Sequence, residues 1–278
     1  MYQTKLCTNL SGDYGMDNAE QIRLLHDIGF EGFFTGWDGR LGEYRELAEK
    51  TGMLYQSVHA PFGKIAALWT GDGADEVQKT LLQCVSDCAD AAVPIMVCHT
   101  YIGFLPSAGP NAQGIERFRR MVEAAGERGL KIAFENTEGE EYLAALMNAF
   151  AGYENVGFCW DTGHEMCYSG GKDLMALYGD RLFCTHLNDN LGIRDFEGKI
   201  TWIDDLHLLP FDGIGDWQGI VDRLNRHGYN RELTFEMHRS CTPGRHDKDK
   251  YQRLSIEEYL CEVYARACRV AALKSRRV

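Results

Sequence analysis

The stretch KIAFENTEGEEYLAALMNAFAGYENVGFCWD, from Lys131 to Asp161, decides the fold. It contains two short apolar runs, Lys131 to Glu135 and Val156 to Asp161, which have the length and composition of buried strands. Between these runs, Glu141 to Phe150 has the spacing of an amphipathic helix. A buried strand, a helix and a second buried strand predict a parallel βαβ unit. Both predicted strands end in a carboxylate.

The same alternation continues along the chain. Eight apolar runs are predicted to be strands: Lys5 to Thr8, Phe30 to Trp37, Leu54 to His59, Ile95 to His99, Lys131 to Glu135, Val156 to Asp161, Leu182 to Leu187 and Leu233 to Met237. The predicted helices between and after them are Asn18 to Ile28, Leu41 to Thr51, Ala74 to Ala92, Gln113 to Arg128, Glu141 to Phe150, Leu174 to Tyr178, Trp217 to His227 and Ile256 to Ala272. Eight such units predict an α/β protein in which residues 1–278 form a single domain, a (β/α)₈ TIM barrel.

The composition of the chain indicates which kinds of binding partner and which cellular compartment to expect. The formal net charge is −12, from 29 Lys and Arg against 41 Asp and Glu, which disfavours a nucleic-acid partner. The ten cysteines lie in apolar runs without a CxxC pair, and neither a secretory signal pattern nor a membrane-spanning apolar stretch is present. We therefore predict a cytoplasmic protein that does not bind membranes. The sequence does not determine the oligomeric state, and a homo-oligomer is possible.

Six predicted strands end in side chains that bind metals. Any one of them, taken alone, is more often a capping or surface residue. In a barrel, however, the carboxyl ends of all strands meet at one face, so the six would converge on one mouth. They are His59, His99, Glu135, Asp161, His186 and Glu236.

Carboxylates buried together are costly without a neutralising cation. The set Glu135, Asp161, His186 and Glu236 offers mostly oxygen with one imidazole, which suits Mn²⁺, Zn²⁺, Mg²⁺ or Co²⁺. His164 follows Asp161 by three residues, and an Asp-x-His pair, Asp205 and His207, lies in the irregular stretch between residues 188 and 216. These three residues could form a second His/Asp site, so the sequence leaves the number of ions, one or more, open.

Together these motifs resemble the xylose isomerase-like barrel superfamily, which includes sugar and sugar-phosphate isomerases and epimerases and the type-four apurinic endonucleases. The resemblance covers nearly the whole chain. The motifs that carry it are His59-Ala60-Pro61, Phe134-Glu135-Asn136-Thr137, Asp161-Thr162-Gly163-His164, His186-Leu187-Asn188-Asp189, Asp205-Leu206-His207 and Phe235-Glu236.

The epimerase branch of this superfamily implies roles for several residues. Its resemblance implies that the four-residue set holds one metal and that Glu135 and Glu236 also move protons on opposite faces of the substrate. It further implies that Glu141 and His164 contact the substrate. We add Trp37, His59 and Arg194 as predicted substrate-binding residues, Trp37 for its aromatic face and Arg194 as a phosphate ligand.

The leading hypothesis is a metal-dependent sugar or sugar-phosphate isomerase or epimerase. It would abstract the proton beside a carbonyl and pass through an enediolate, with a small sugar or polyol as its partner. The alternatives are an apurinic-endonuclease-like phosphodiesterase, an inositol-type dehydratase and a metal-binding barrel without catalysis. The nuclease branch implies nine metal ligands, all matched here: His59, His99, Glu135, Asp161, His164, His186, Asp205, His207 and Glu236.

Overall fold

Eight parallel strands form the centre of the molecule. The computed structural model describes residues 4–104, 109–193 and 201–275. The strands are β1 (Leu6–Asn9), β2 (Gly32–Gly36), β3 (Leu54–His59), β4 (Ile95–His99), β5 (Lys131–Glu135), β6 (Val156–Asp161), β7 (Leu182–His186) and β8 (Leu233–Phe235). The predicted strands are thus confirmed: four have the predicted bounds, and the ends of the other four differ by at most two residues.

The strands follow chain order around a barrel. Each strand from β1 to β6 pairs with the next in parallel, and β1 also pairs with β8. The ring closes between β7 and β8 through a parallel bridge of Leu187 with Phe235. There, the Leu187 N–H donates to the Thr234 carbonyl at 2.9 Å and the Glu236 N–H donates to the Leu187 carbonyl at 3.2 Å. The predicted (β/α)₈ barrel is therefore confirmed.

Eleven α-helices lie within the described ranges. They are α1 (Asn18–Ile28), α2 (Leu41–Thr51), α3 (Ala67–Thr70), α4 (Ala74–Asp90), α5 (Ala112–Glu127), α6 (Glu140–Ala149), α7 (Thr162–Tyr168), α8 (Leu174–Tyr178), α9 (Trp217–Arg226), α10 (Asp249–Gln252) and α11 (Ile256–Ser275). Three of them, α3, α7 and α10, were not predicted. Within the described ranges, no helix combines the length and apolar character needed to cross a membrane.

The alternation of side chains along each strand determines which strand-end residues lie on the inner face of the barrel. Successive side chains of a strand point to opposite faces, so residues two apart share a face. Small apolar residues stand two positions before each of four candidate ligands and pack together inside the barrel. These inner residues are Val97, Ala133, Cys159 and Cys184, preceding His99, Glu135, Asp161 and His186. The candidate ligands therefore form the next layer toward the carboxyl ends of the strands.

The outer face of the barrel is covered by amphipathic helices. Helix α5 is representative: Phe118, Met121, Val122 and Ala125 are buried, and their three-and-one spacing forms a single apolar stripe. Its first turn is capped by Asn111, whose side chain accepts from the Gly114 N–H at 2.9 Å. Burial of such stripes against the sheet is the main stabilising contribution to this fold.

A substitution at Gly114 tests how closely α5 packs against the rest of the barrel. Helix α5 approaches Trp69 so closely that a Cβ at position 114 would overlap the indole ring. Trp69 cannot move freely, because its Nε1 donates to the Thr100 carbonyl at 2.7 Å. We expect Gly114→Ala to lower the free energy of unfolding by about 1–3 kcal/mol in urea denaturation.

The matched control is Gly42→Ala, also in the first turn of a helix but with open space around the added Cβ. It should be neutral or stabilise by up to ~1 kcal/mol. Equal effects of the two substitutions would contradict the packing described here.

Candidate metal centre

Four candidate ligands meet at the centre of the barrel mouth. Each of Glu135, Asp161, His186 and Glu236 offers one ligand atom, and these atoms all lie within 4.8 Å of one another. The His186 Nδ1 atom is 2.9 Å from Glu135 Oε1 and 3.1 Å from Glu236 Oε2. Glu135, Asp161 and His186 are the last residues of β5, β6 and β7, and Glu236 directly follows β8. The four residues predicted as the primary metal set are therefore brought together.

Two more imidazoles contact the second oxygen of Glu135. His59 Nε2 lies 3.1 Å and His99 Nε2 lies 3.3 Å from Glu135 Oε2. These three residues form another group of converging ligand atoms. The Glu135 carboxylate therefore lies between this His pair and the central four-residue set, an arrangement in which one carboxylate can bridge two cations.

The Asp-x-His pair reaches the mouth from the segment after β7. Asp205 Oδ2 is 3.1 Å from His164 Nε2 and 3.0 Å from His207 Nε2. His207 has a φ of 47°, an uncommon backbone conformation for a residue with a side chain. The ligand atoms of Asp161, His164 and His207 also converge. All nine candidate ligands named from the sequence thus belong to one cluster.

Hydrogen bonds to Asp189 hold in place the part of the chain that follows His207. The Asp189 carboxylate is buried and accepts from the Phe211 and Gly215 N–H groups, both at 2.9 Å, and from Trp217 Nε1 at 2.8 Å. A backbone bridge also joins Asp189 to Leu208. These contacts hold the chain beside His207 and explain why a long irregular segment can carry ligands.

A layer of amides supports Asp161. Asn188 Nδ2 donates to Asp161 Oδ2 at 2.8 Å, and Asn136 exchanges two hydrogen bonds of 2.8 Å with the Asp161 backbone. Asp161 also caps α7, since its Oδ1 accepts from the His164 N–H at 2.7 Å. The Asp-Thr-Gly-His motif is therefore a strand end joined directly to a helix start.

Burial and neighbouring charges shift the pKa values of the central ionisable groups in opposite directions. Burial alone raises the pKa of Glu135, but His186, His59 and His99 together hold that pKa well below its ordinary value. Burial alone lowers the pKa of His186, whereas Glu135 and Glu236 raise it well above its ordinary value. Burial raises the pKa of Asp161 to about 6, because its neighbouring imidazoles offset the loss of solvent only in part.

The outer imidazoles divide into two kinds. Burial outweighs Glu135 at His99 and lowers the pKa of His99 to about 4. At His207 the neighbouring Asp205 outweighs burial and raises the pKa to about 9. In the metal-free protein, protonated imidazoles thus provide the positive charge that the buried carboxylates require.

The donor set fits divalent cations. His186 Nε2, His99 Nδ1 and Asp205 Oδ1 are buried and have no hydrogen-bond partner among the described residues. Asp205 Oδ1 is a carboxylate oxygen in a cluster of imidazoles, where an unpaired acceptor is costly. A ligand set that combines carboxylate oxygens with imidazole nitrogens suits Mn²⁺, Co²⁺ and Zn²⁺.

A cavity of about 700 Å³ opens above the cluster. Of the predicted substrate-binding residues, Trp37, His59 and His164 line it. Glu141 does not: it is exposed on α6, outside the cavity lining. Arg194 lies outside the described residues. Of the other aromatic residues near strand ends, Phe62, Phe104 and Trp202 line the cavity, whereas Tyr101 is buried beside it.

Glu138 and His238 are among the cavity residues that sequence reasoning missed. Glu138 lines the cavity and is buried, and its Oε1 accepts from the Gly103 N–H at 2.7 Å. Gly139, with a φ of 71°, starts α6 directly after Glu138, so Glu138 remains at the mouth while Glu141 turns outward. His238 also lines the cavity and stacks on His207 with ring centroids 4.3 Å apart. The sequence signal that could have identified His238 as a site residue was its position two residues after Glu236.

The chain belongs to the xylose isomerase-like TIM barrel family, whose model matches residues 22–258. Two curated relatives are partial matches. The uncharacterized protein y4fM of Sinorhizobium fredii is 36% identical over 116 residues, covering 40% of this chain and 34% of that protein. A probable endonuclease 4 of Methanoculleus marisnigri is 27% identical over 180 residues, covering 55% of this chain and 62% of that protein. The match therefore spans less than two thirds of either relative.

Solved structures share the fold over almost their full length. The IolI protein, solved with a zinc atom, superposes with a TM-score of 0.71 at 17% identity, covering 96% of this chain and 98% of that chain. A D-psicose 3-epimerase from Clostridium cellulolyticum, solved with D-tagatose, has a TM-score of 0.69 at 14% identity, covering 96% of this chain and 99% of that chain. At these identities the likeness establishes the fold alone.

The amide layer generates a stability prediction. Asn188→Ala should lower the free energy of unfolding of the metal-free protein by about 1–3 kcal/mol, because Asp161 loses a hydrogen-bond donor to a buried carboxylate. Asn188→Asp should cost more, since it adds a second carboxylate at the same place. Urea denaturation measures both.

Asn230→Ala is the control: Asn230 is exposed, and its removal should change the free energy of unfolding by less than ~0.5 kcal/mol. If Asn188→Asp proved as stable as the parent protein, the supporting role of Asn188 would be wrong.

Proposed function

We propose that this protein is a metal-dependent isomerase or epimerase of sugars. One observation carries the proposal: Glu135 and Glu236 approach the same imidazole nitrogen of His186 from different strands, at 2.9 and 3.1 Å. Two carboxylates held this close together beside one candidate metal site can serve as base and acid in proton transfers at one carbon. Membership in the xylose isomerase-like family and the likeness to an epimerase fold support the same function.

Glu135, Asp161, His186 and Glu236 would hold the catalytic metal. A divalent ion there supplies Lewis-acid polarisation of a sugar carbonyl and lowers the cost of negative charge on its oxygen. The zinc atom in the IolI structure supports a metal in this fold, and the converging ligand atoms support its place here.

The two glutamates would divide the proton transfers. One carboxylate removes the proton from the carbon beside the carbonyl, which leaves a planar enediolate. The other, protonated, returns a proton to the same carbon from the opposite side, and this inverts the centre. If one carboxylate instead carries its proton to the neighbouring carbon, the product is the isomeric sugar. Proton return coupled to loss of a hydroxyl would give the dehydratase alternative.

The cysteines support a reducing compartment. All ten are free, and seven of them are buried. Free buried thiols suit the cytoplasm, where disulfides are rare. We propose a cytoplasmic location on this ground.

A metal-dependent phosphodiesterase is the second candidate function. The convergence of all nine candidate ligands favours it, since the nuclease branch uses such a set, and one relative is a probable endonuclease 4. Against it, the described residues that line the cavity include no Lys or Arg. A nuclease that grips a phosphate backbone needs such contacts.

Proton exchange separates the two functions. The metal-loaded protein is incubated in deuterated water with a panel of ketoses and, separately, with an abasic-site duplex. We expect deuterium beside the sugar carbonyl and no strand cleavage. Glu135→Gln and Glu236→Gln should each reduce exchange by at least about 100-fold, because each removes a proton-transfer group.

Glu127→Gln, at an exposed position on α5, is the matched control and should retain parental activity. Strand cleavage that is lost in Glu135→Gln, with no exchange into any sugar, would favour the nuclease and contradict the isomerase.

Metal removal should lower thermal stability. An ion that binds only the folded state stabilises it by about 2.7 kcal/mol at a concentration 100-fold above its Kd. For a domain of this size we therefore expect a chelator to lower the melting temperature by roughly 5–10 °C.

Two variants locate the effect. Asp161→Asn should abolish the metal-dependent shift, whereas replacing Asp205 and His207 with Ala should keep it and reduce only metal bound beyond one equivalent. A chelator-insensitive melt, together with no bound metal by elemental analysis, would count against the site.

A further inference from the structure

The cavity above the cluster is larger than one sugar ring requires. Its volume is about 700 Å³, within the range that accommodates drug-sized ligands. Of the two proposed catalytic carboxylates, Glu236 lines the cavity, and Glu135 is fully buried against His59 and His99, which also line it. A monosaccharide bound there would leave the upper part of the cavity unfilled.

Two exposed aromatic side chains stand on opposite sides of the upper part. Phe62 follows β3 and is 44% exposed, and Trp202 follows β7 and is 54% exposed. Strands β3 and β7 are four apart in a ring of eight, so they lie across the barrel from each other. Both side chains line the cavity. Exposed aromatic faces that line a binding cavity suit a ligand with an apolar face, such as a sugar ring.

Both aromatic residues are joined to the ligand cluster. Phe62 stacks on His99 with ring centroids 4.5 Å apart and an interplanar angle of 28°. The Trp202 carbonyl accepts from the N–H of Asp205, the residue that contacts His164 and His207, at 3.1 Å. The ring of Phe62 and the backbone of Trp202 are therefore held in place relative to the proposed reaction site.

Among the described residues, the part of the cavity outside the ligand cluster offers a phosphate no basic partner. The described lining includes no Lys or Arg, its five histidines lie in or beside the cluster, and two acidic residues, Asp38 and Glu138, lie outside the cluster. Nearby basic side chains have other partners: Arg245 pairs with Asp204 and Asp247, and Arg239 donates to the Gln252 and Leu254 carbonyls. Lys64 lines a separate groove.

We infer that the substrate is an uncharged, glycosylated sugar. This inference rests on the proposed function. The reacting sugar, with its carbonyl free, would lie at the floor near Glu135 and Glu236. A second sugar ring, linked through an oxygen remote from the carbonyl, packs between Phe62 and Trp202. A phosphate at the same oxygen would find no Lys or Arg among the described lining residues, which outside the ligand cluster include Asp38 and Glu138.

The test compares sugars that differ at one oxygen. Hexuloses are supplied free, with glucose linked at O6 and with phosphate at O6; for fructose these are fructose, isomaltulose and fructose 6-phosphate. Deuterium exchange measures kcat/KM for each. We expect the glycosylated form to have the highest value in the series that reacts best. Trp202→Ala should lower the ratio of kcat/KM for glycosylated over free sugar about tenfold, equivalent to ~1.4 kcal/mol, and Trp202→Phe should restore most of it.

Ile203→Ala is the control, because Ile203 neighbours Trp202 and is 37% exposed but does not line the cavity. It should leave the ratio unchanged. The inference is overturned if the free or phosphorylated sugar reacts best, or if Trp202→Ala lowers all forms equally. It is also overturned if Trp202→Ala changes the molar mass in light scattering while the ratio stays constant, since Trp202 then serves a subunit contact. Exchange into no sugar at all would overturn the proposed function, and the inference with it.

Discussion

The buried carboxylate of Glu135 is the constraint on which the rest of the site depends. It is fully buried, and both of its oxygens contact imidazoles, with His186 on one side and His59 and His99 on the other. A carboxylate removed from water needs compensating positive charge nearby. The barrel meets this need by ending neighbouring strands in histidines at the same level, so the fold and the site share one geometric origin.

Much of this arrangement could be predicted from the sequence, for a physical reason. A strand has a period of two, and a barrel aligns the ends of its strands, so the apolar runs ending in His99, Glu135, Asp161 and His186 determine both the elements and the convergence of these residues. The helices α3, α7 and α10 were missed because they are additional to the eight strand–helix units, and a run of four to seven residues shows little helical period of its own.

Positions set by loops could not be predicted in the same way. Glu138 and Glu141 both precede or begin a helix, and only the left-handed conformation of Gly139 decides which of them stays at the mouth. Likewise, His207 reaches the cluster because distant backbone groups bind Asp189, and no local pattern shows those contacts. The fold itself does not choose between isomerase and nuclease chemistry. The absence of Lys and Arg from the described cavity lining is the observation that weighs against a nucleic-acid backbone.

The central claim is that the strand ends of β5, β6 and β7, with the residue after β8, form one cation site. Anomalous X-ray diffraction from crystals of the protein grown with Mn²⁺ tests it most directly, because it locates the ion independently of any assay. The account predicts an anomalous peak within bonding distance of Glu135, Asp161, His186 and Glu236, and loss of that peak in Asp161→Asn. A fully formed cluster with no peak at saturating Mn²⁺, or a peak only elsewhere on the protein, would contradict it.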